Sequence, residues 1–390
     1  MRTRLLLLFM ILPWGLKAQL NQSFKYQTNP PLLHSFVVLK SDSELQVMGE
    51  VTFFKEDMLQ YRAEYALTND EAGNTVFSAG VIPESQIVQR EQLGTYGYTL
   101  DLSAYVKEAT FLFISFIHKE TNETYTIYRN LNGIDTCPFY FERQFIPHQY
   151  PYLRNNDRLK IRALDKRMAP IWVYGYKSQF PQADPPMLIT KAQANIPVDT
   201  VFTLLVNDTF IPPFEGIFIF KPDSAASTGR SLLVTNPFYP DVKLQEKVRE
   251  PLVYITTKEE WEELNQGTDI KLQLDKFWLA LLPNQERAKS TIKAFYQNVS
   301  LANELFTTYK EGWKTDMGMI YIIYGAPTKV LNYGTKEEWI YLSEENNSVL
   351  SFTFVHAPTL FSASAYSLIR EKKYKNSWYP TIDLWRKGRK

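Results

Sequence analysis

The chain has 390 residues, enough for two or three domains. Hydrophobic residues make up 45% of it and charged residues 22%, a balance typical of a globular protein and not of a disordered one. The 43 basic and 42 acidic residues give a formal net charge of +1, which excludes the broad positive field that non-specific nucleic-acid binding needs.

The beginning of the chain is typical of a secretory signal peptide. Arg2 and Arg4 precede an apolar run at residues 5–12, and Ala18 offers a small residue at a cleavage point. The run is shorter than the ~20 residues that a membrane-spanning helix needs, so we expect cleavage, with a retained anchor as the alternative. Cleavage removes three basic residues and leaves 40 of the 43 against 42 acidic ones, a net charge of −2. No later apolar run has spanning length, so no transmembrane segment is expected in the mature chain.

The titratable side chains form no recognisable catalytic or metal-binding pattern. Cys137 is the only cysteine, which excludes an intramolecular disulfide and a Cys-rich zinc site, and we expect it to be buried. No nucleophile elbow, Walker loop or dinucleotide-binding motif follows a predicted strand. We therefore predict no metal, no cofactor and no catalytic residue. The four histidines are isolated from one another: His34, His118, His148 and His356.

Short apolar runs predict β-structure in the first third of the chain. A polar stretch at residues 21–29 is predicted to be a tether. Beyond it, Tyr61, Ala63 and Tyr65 alternate with more polar residues, the period of a strand with one buried face. Short strands without an amphipathic helix predict an immunoglobulin-like β-sandwich. These strands are predicted at residues 33–40, 45–54, 59–68, 85–90, 98–103, 110–117 and 124–130.

A second β-region is predicted beyond a change of composition near Phe145. Prolines interrupt its apolar runs, which indicates a smaller β-module with long loops. One β-region continuous with the first sandwich is the alternative. The strands are predicted at residues 170–178, 200–206, 216–222 and 231–236.

The last third of the chain changes to helical periodicity. Thr257 stands three residues before Glu260, the spacing of a capping box at the start of a helix. Helices are also predicted at residues 268–282 and 285–309, where apolar residues recur at steps of three and four. An α+β domain with helices packed on one face of a small antiparallel sheet is the natural result. The strands of that sheet are predicted at residues 319–324, 337–342 and 350–355.

The chain ends in a basic, aromatic tail. Lysine and arginine follow Trp385, and a solvated tail is the preferred interpretation. A tail that docks onto the protein's own β-modules or onto an envelope partner is the alternative. The complete predicted organisation is a signal peptide at residues 1–18, a β-sandwich domain at 19–145, a second smaller β-module at 146–248 and an α+β domain at 249–390.

A short motif within the α+β domain has a family likeness. Residues 312–316 read GWKTD and are followed by Gly318, the run MIYIIYG and Pro327. This pattern closely resembles the signature of the GWxTD-domain family, whose members are exported proteins of Bacteroidota and related bacteria. The resemblance covers residues 251–355, about a quarter of the chain.

Neighbouring residues extend the resemblance and also depart from it. The aromatic pair Phe277 and Trp278 and the Ala-Asn-Glu-x-Phe element at residues 302–306 are similar to family elements. The polar Arg-Asp-Pro element that follows the aromatic pair in the family is absent, because this chain has LALLPN there. The basic residue that follows the motif is also absent, because this chain has Met317 there. The resemblance implies export to the cell envelope and no established reaction.

The motif is predicted to be a junction between a helix and a strand. Gly312 would end the helix in a left-handed conformation, and Gly318 would let the chain turn into the next strand. Thr315 and Asp316 would bond local backbone amides. The alternative is a binding pocket, whose candidate residues are Trp313, Thr315, Asp316, Tyr321 and Trp339.

Two functions remain open from the sequence. The preferred hypothesis is a non-catalytic, exported protein of the periplasm or outer membrane that binds an envelope protein partner, for example in a surface or secretion apparatus. The alternative is an envelope hydrolase that acts on glycan or peptide with Asp316 in its site. Two carboxyl groups about 5 to 9.5 Å apart in an open cleft would favour the hydrolase, and an Asp316 carboxylate held by backbone amides would contradict it.

Overall fold

The structure is a computed structural model in which three structural regions follow one another along the chain. It describes residues 20–71, 73–133, 135–165, 168–177, 180–188, 196–266, 269–282, 284–343 and 348–390. The predicted signal peptide lies outside the described residues. None of the described helices is both long enough and apolar enough to span a bilayer.

The first region is a sandwich of two antiparallel sheets, with strand orders β2-β3-β7-β6 and β5-β4-β8-β9. Lettered A to G in chain order with β5 as C′, these orders are ABED and C′CFG, the arrangement of an immunoglobulin-like sandwich. The predicted fold is thus confirmed. The strands up to this point are β1 (Leu20–Asn21), β2 (Leu32–Lys40), β3 (Leu45–Phe53), β4 (Tyr61–Thr68), β5 (Val76–Val81), β6 (Ile87–Gln89), β7 (Thr95–Asp101), β8 (Phe111–His118) and β9 (Thr124–Asn130).

A second, smaller pair of sheets follows, with orders β11-β10-β13-β16 and β12-β18-β17-β14-β15. Phe139, Ile161, Val173 and Phe220 come from both sheets and share one core. Because β10 precedes residue 145, strand pairing in this region begins before the change of composition. The strands are β10 (Phe139–Arg143), β11 (Ile146–Pro147), β12 (Tyr152–Arg154), β13 (Leu159–Ala163), β14 (Ile171–Tyr176), β15 (Thr200–Leu204), β16 (Thr209–Phe210), β17 (Gly216–Lys221) and β18 (Arg230–Thr235).

The third region is an α+β domain, as predicted. Its antiparallel sheet has the order β1-β19-β20-β21-β22, and helices cover it. The backbone N–H of Thr257 donates to Glu260 Oε2 at 2.8 Å and the N–H of Glu260 donates to Thr257 Oγ1 at 3.2 Å, which confirms the capping box. The elements are α1 (Gln245–Val248), α2 (Lys258–Gln266), α3 (Ile270–Leu281), α4 (Gln285–Phe306), α5 (Asp316–Tyr324), β19 (Lys329–Asn332), β20 (Lys336–Ser343), β21 (Ser348–His356), β22 (Tyr366–Leu368) and α6 (Lys375–Arg386).

The predicted strand at residues 319–324 is wrong, because these residues belong to the helix α5. Thr315 caps the helix, and all of residues 317–323 are buried. A helix buried on every side has no polar face, so its sequence lacks the 3.6-residue period. Its isoleucines and tyrosines favour a strand in the absence of that period.

The predicted tether at residues 21–29 is also wrong in its first part. Residues 20–26, which we call the N-terminal strap, run between the first sandwich and the α+β domain. β1 pairs antiparallel with β19, and Gln22, Phe24 and Tyr26 are buried. The composition of this stretch is that of a solvated linker, but its polar side chains bond to partners in the two domains and not to solvent.

The predicted solvated tail is wrong for the residues up to Arg386, which form helix α6 packed on the α+β domain, whereas Lys387, Arg389 and Lys390 are exposed. Trp378 and Trp385 are each 2% exposed, and Trp385 Nε1 donates to the backbone oxygen of Ile323 at 3.0 Å. Both terminal nitrogens of Arg386 lie 2.7 Å from the carboxylate of Glu260. The tail docks on the domain from which it emerges and not on the β-modules.

Candidate functional site

The GWKTD motif forms the connection between α4 and α5. α4 ends at Phe306, and residues Gly312–Lys314 make a single 3₁₀ turn. Thr315 Oγ1 donates to the backbone oxygen of Gly312 at 2.7 Å and accepts the backbone N–H of Gly318 at 3.0 Å. Thr315 is therefore the N-cap of α5, and the motif joins two helices.

The two glycines of the junction serve close packing. A Cβ added to Gly312 would lie 2.0 Å from the backbone oxygen of Ala302 in α4. A Cβ added to Gly318 would lie 1.9 Å from the backbone oxygen of Gly312. The prediction that Gly312 ends the helix in a left-handed conformation is wrong, since it lies outside α4 and is not among the positive-φ glycines. Gly318 lies in the first turn of α5 and does not lead into a strand.

Trp313 is fixed from three sides and is only 4% exposed. Its backbone N–H donates to Asn303 Oδ1 at 3.0 Å, and its indole Nε1 donates to Glu311 Oε2 at 2.9 Å. The hydroxyl of Tyr254 donates to its backbone oxygen at 3.0 Å. These bonds hold the ring in one orientation at the edge of the domain core.

Asp316 is half-buried and bound to Arg370. Its Oδ1 accepts from Arg370 Nη2 at 2.6 Å, and its Oδ2 accepts from Arg370 Nη1 at 3.1 Å. Oδ2 also accepts the backbone N–H of Leu368 at 2.8 Å. The prediction that Asp316 bonds a local backbone amide is therefore wrong, because the amide that it binds lies on β22. Both carboxylate oxygens are occupied, which counts against the hydrolase hypothesis for Asp316.

The other two candidate residues lie in the core of the domain. Tyr321 is 1% exposed and Trp339 is fully buried. The Tyr321 hydroxyl donates to the backbone oxygen of Tyr26 at 3.0 Å, and Trp339 Nε1 donates to Glu337 Oε2 at 3.3 Å. Both therefore belong to the packing around the N-terminal strap and not to the motif's surface.

A groove of ≈ 520 Å³ opens beside the motif, between the α+β domain and a loop of the second β-module. The backbone N–H of Ala183 donates to the backbone oxygen of Lys314 at 2.9 Å, and Lys310 Nζ donates to the backbone oxygen of Pro181 at 3.2 Å. These bonds hold the loop against the motif. We call this space the motif groove; its lining residues are Phe180, Pro181, Gln182, Glu250, Trp261, Trp313 and Lys314.

A compact ion-pair network supports one wall of the motif groove. Lys314 Nζ lies 2.9 Å from Glu311 Oε2 and 3.7 Å from Glu250 Oε2. Lys247 Nζ lies 3.3 Å from Glu250 Oε1 and 3.8 Å from Glu311 Oε1. Burial acts to raise the pKa of Glu311, but the neighbouring ammonium groups of Lys314 and Lys247 lower that pKa below its usual value. Glu311 is therefore ionised at neutral pH.

The ammonium group of Lys247 is stabilised by the acidic side chains of the same network. Burial acts to lower the pKa of Lys247, and the carboxylates of Glu311 and Glu250 more than reverse this and raise it. Two acids and two bases thus balance one another around the groove. A ligand there meets fixed charges of both signs beside aromatic rings.

The sequence did not single out Phe180 or Trp261 as binding residues. Phe180 lies on a loop far from the motif along the chain, and its ring packs 4.5 Å from that of Tyr309. Trp261 follows the capping box of α2 and resembles an ordinary core residue of an amphipathic helix. The approach of Phe180 to Trp313 depends on how two domains meet, and that of Trp261 on how α2 packs within the α+β domain, neither of which a local pattern encodes.

Metal-ligating side chains do not gather near the motif groove or elsewhere in the described ranges, where no group of three or more His, Cys, Asp or Glu could hold a metal ion. Cys137 is buried just before the first strand of the second module in the chain, and burial raises the pKa of its thiol.

The fold and the motif together define a multidomain protein in which β-sandwich modules precede a motif-bearing α+β domain. Residues 216–387 match the GWxTD domain family. The chain therefore carries a GWxTD domain over these residues, as the resemblance in sequence implied. The match starts at the first residue of β17 in the second β-module and ends directly after α6.

Comparison with known proteins adds little beyond the family. No curated protein matches the chain. Among solved structures it is similar to a chain in the crystal structure of Dpr11 IG1 bound to DIP-gamma IG+IG2, with 11% sequence identity and a TM-score of 0.15. That similarity covers 52% of this chain and 98% of the other. The immunoglobulin-like description of the first sandwich rests on the strand order given above.

Proposed function

We propose that this is an exported cell-envelope protein whose GWxTD domain binds another envelope protein through the motif groove. The observation that carries the proposal is the position of the motif itself. Trp313 and Lys314 form part of a solvent-accessible groove, while the remaining motif residues hold the helix junction that positions them.

The lining of the motif groove favours an extended peptide segment as the ligand. Phe180 and Trp261 are half-buried and offer aromatic surface, the largely buried ring of Trp313 also lines the groove, and aromatic residues are enriched among the hot spots of protein interfaces. Glu250 and Lys314 present opposite charges that can pair with a peptide's side chains or bond its backbone. A partner segment with an apolar or proline side chain between two polar groups fits this chemistry.

Export and envelope location are supported by the signal-peptide pattern at the start of the sequence. The β-sandwich modules then act as spacers or additional docking surfaces. In this proposal the protein is an accessory component of a surface or secretion apparatus. The hydrolase alternative has no observation in its favour, because Arg370 and the Leu368 amide occupy the Asp316 carboxylate.

Site-specific photo-crosslinking in intact cells tests this proposal. A photoreactive phenylalanine analogue at position 261 lies in the motif groove, and the matched control at position 172 replaces a 36% exposed tryptophan of the second β-module. We expect position 261 to trap one defined envelope protein and position 172 not to trap it. The same product from both positions, or none from 261, contradicts the proposal.

A further inference from the structure

The N-terminal strap sends two aromatic side chains into two different hydrophobic cores. Phe24 belongs to the core of the first sandwich, where its ring packs 5.3 Å from that of Tyr125. Tyr26, two residues later, belongs to the core of the GWxTD domain, where its ring lies 4.9 Å from Trp339 and 5.4 Å from Phe306. The strap therefore links the first and last domains of the chain.

The backbone of the strap completes a sheet. β1 pairs antiparallel with β19 at the edge of the GWxTD sheet, and the backbone N–H of Gln22 donates to the backbone oxygen of Val330 at 3.0 Å. The Gln22 side chain donates to the backbone oxygen of Thr126 in the sandwich at 3.1 Å and accepts from Asn332 Nδ2 at 3.3 Å. One glutamine thus bonds to both domains at once.

A buried carboxylate anchors the other end of the strap. Glu337 is 1% exposed, and its Oε2 accepts the Tyr26 hydroxyl at 2.8 Å. Asn332 Nδ2 donates to its Oε1 at 3.1 Å, and Lys25 Nζ lies 3.7 Å from that oxygen. The strap therefore supplies both a hydrogen bond and the nearby positive charge that such a buried carboxylate needs.

These contacts describe a binding site and its ligand, although one chain provides both. The site recognises main-chain groups along β19, an aromatic ring on each side of the cleft, and a hydroxyl at the Glu337 carboxylate. The residues that follow the strap, Gln27, Thr28 and Asn29, are exposed and join it to β2. The covalent link between strap and site thus passes through solvent.

We propose that the cleft between the first sandwich and the GWxTD domain is a peptide-binding site for an extended Phe-x-Tyr segment. The strap fills it within the chain, and the same segment binds there when it is supplied as a separate peptide. This site is distinct from the motif groove, so it does not depend on the function proposed for that groove.

A cleavable form of the folded, full-length chain tests the proposal. A protease recognition sequence inserted after Thr28 allows the link to be cut after folding, so failure to fold does not confuse the result. We expect the cut strap to co-elute with the protein in size-exclusion chromatography. A fluorescent peptide of residues 20–29 should then exchange into the site, measured by anisotropy.

Peptide variants define the specificity of the exchange. Tyr26→Phe should weaken peptide binding about 10-fold or more, because it removes a hydrogen bond to a buried carboxylate. Tyr26→Ala should abolish binding, and Gln27→Ala, at an exposed position, should leave it unchanged. Loss of the strap on cutting without peptide binding overturns the proposal, and so does equal binding of the Tyr26→Ala peptide.

Discussion

Gly312→Ala is the substitution that most directly tests the packing of the motif. The added Cβ would lie 2.0 Å from the backbone oxygen of Ala302, and 2.7 Å from its carbonyl carbon. Because both atoms belong to the backbone of α4, no side-chain rotation relieves the overlap. The junction and α4 must separate by about 1 Å to reach even a very tight contact.

The cost of that separation follows from tight packing on both sides of the junction. Overpacking a core costs typically 1–3 kcal/mol, and here the fixed backbone puts the expected loss at about 3 kcal/mol or more. For a domain of this size the melting temperature should fall by roughly 6 to 12 °C. Six of the eight tryptophans lie between positions 261 and 385, so tryptophan fluorescence reports mainly on the GWxTD domain.

Gly325→Ala provides the matched control. Gly325 has a φ of +85°, but an added Cβ would have no atom within 4 Å. Its alanine variant should therefore lose only the conformational cost of a non-glycine residue at φ +85° and ψ −163°, about 1–3 kcal/mol. If Gly312→Ala unfolds at the wild-type temperature, or loses less stability than Gly325→Ala, the packing explanation of the motif is refuted.

Three further predictions concern other parts of the structure. Arg370→Met should lower the free energy of unfolding by about 3–5 kcal/mol, because it leaves the Asp316 carboxylate half-buried without its cation, and adding Asp316→Asn should recover part of that loss in a double-mutant cycle measured in urea. Trp385→Ala should lower it by about 3–5 kcal/mol and expose the seam between α6 and α5 to limited proteolysis. Burial, with a smaller effect of Arg129, lowers the pKa of His34 to about 3, so the unfolded chain binds the extra proton first as the pH falls from 6.5. Stability of the first sandwich should therefore decrease between pH 6.5 and 3, and His34→Phe should flatten that decrease in pH-dependent melting curves; an unchanged slope contradicts the assignment.

Local patterns in the sequence were enough for elements whose surroundings are simple. The capping box at Thr257 and Glu260 formed as its spacing predicted, and the long helix that starts at Gln285 has one apolar stripe because one side faces solvent. The first sandwich was recognisable because its apolar runs are short and several of its strands, such as β3, alternate between core and solvent. In each case the pattern of burial is written into consecutive residues.

The sequence was misleading where burial is complete or where partners are distant. α5 is buried on all sides and so has no polar face to reveal its period. Gln22 and Tyr26 look like linker residues until Thr126 and Glu337 are seen beside them. The motif groove escaped prediction for the same reason, because its second wall comes from another domain.

The candidate site was predicted only in part. The structure brings Trp313, Thr315 and Asp316 together, as their adjacency in the chain requires, but places Tyr321 and Trp339 behind them in the core. Apolar aromatic residues near a motif fit a core as well as a pocket, and only the packing distinguishes the two.

The strap also determines the order in which this protein can complete its fold. The hydrogen bond between Tyr26 and Glu337 spans 311 positions, so the residues synthesised among the first must wait for those synthesised almost last. Each doubling of such a loop adds only ~0.6 kcal/mol of closure entropy, so the expected effect is a delay more than a loss of stability. During that delay Tyr26 is without its core, which makes the beginning of the chain a natural binding segment for a chaperone. We therefore expect removal of the last strands to leave the N-terminal strap protease-sensitive even when both β-modules have folded.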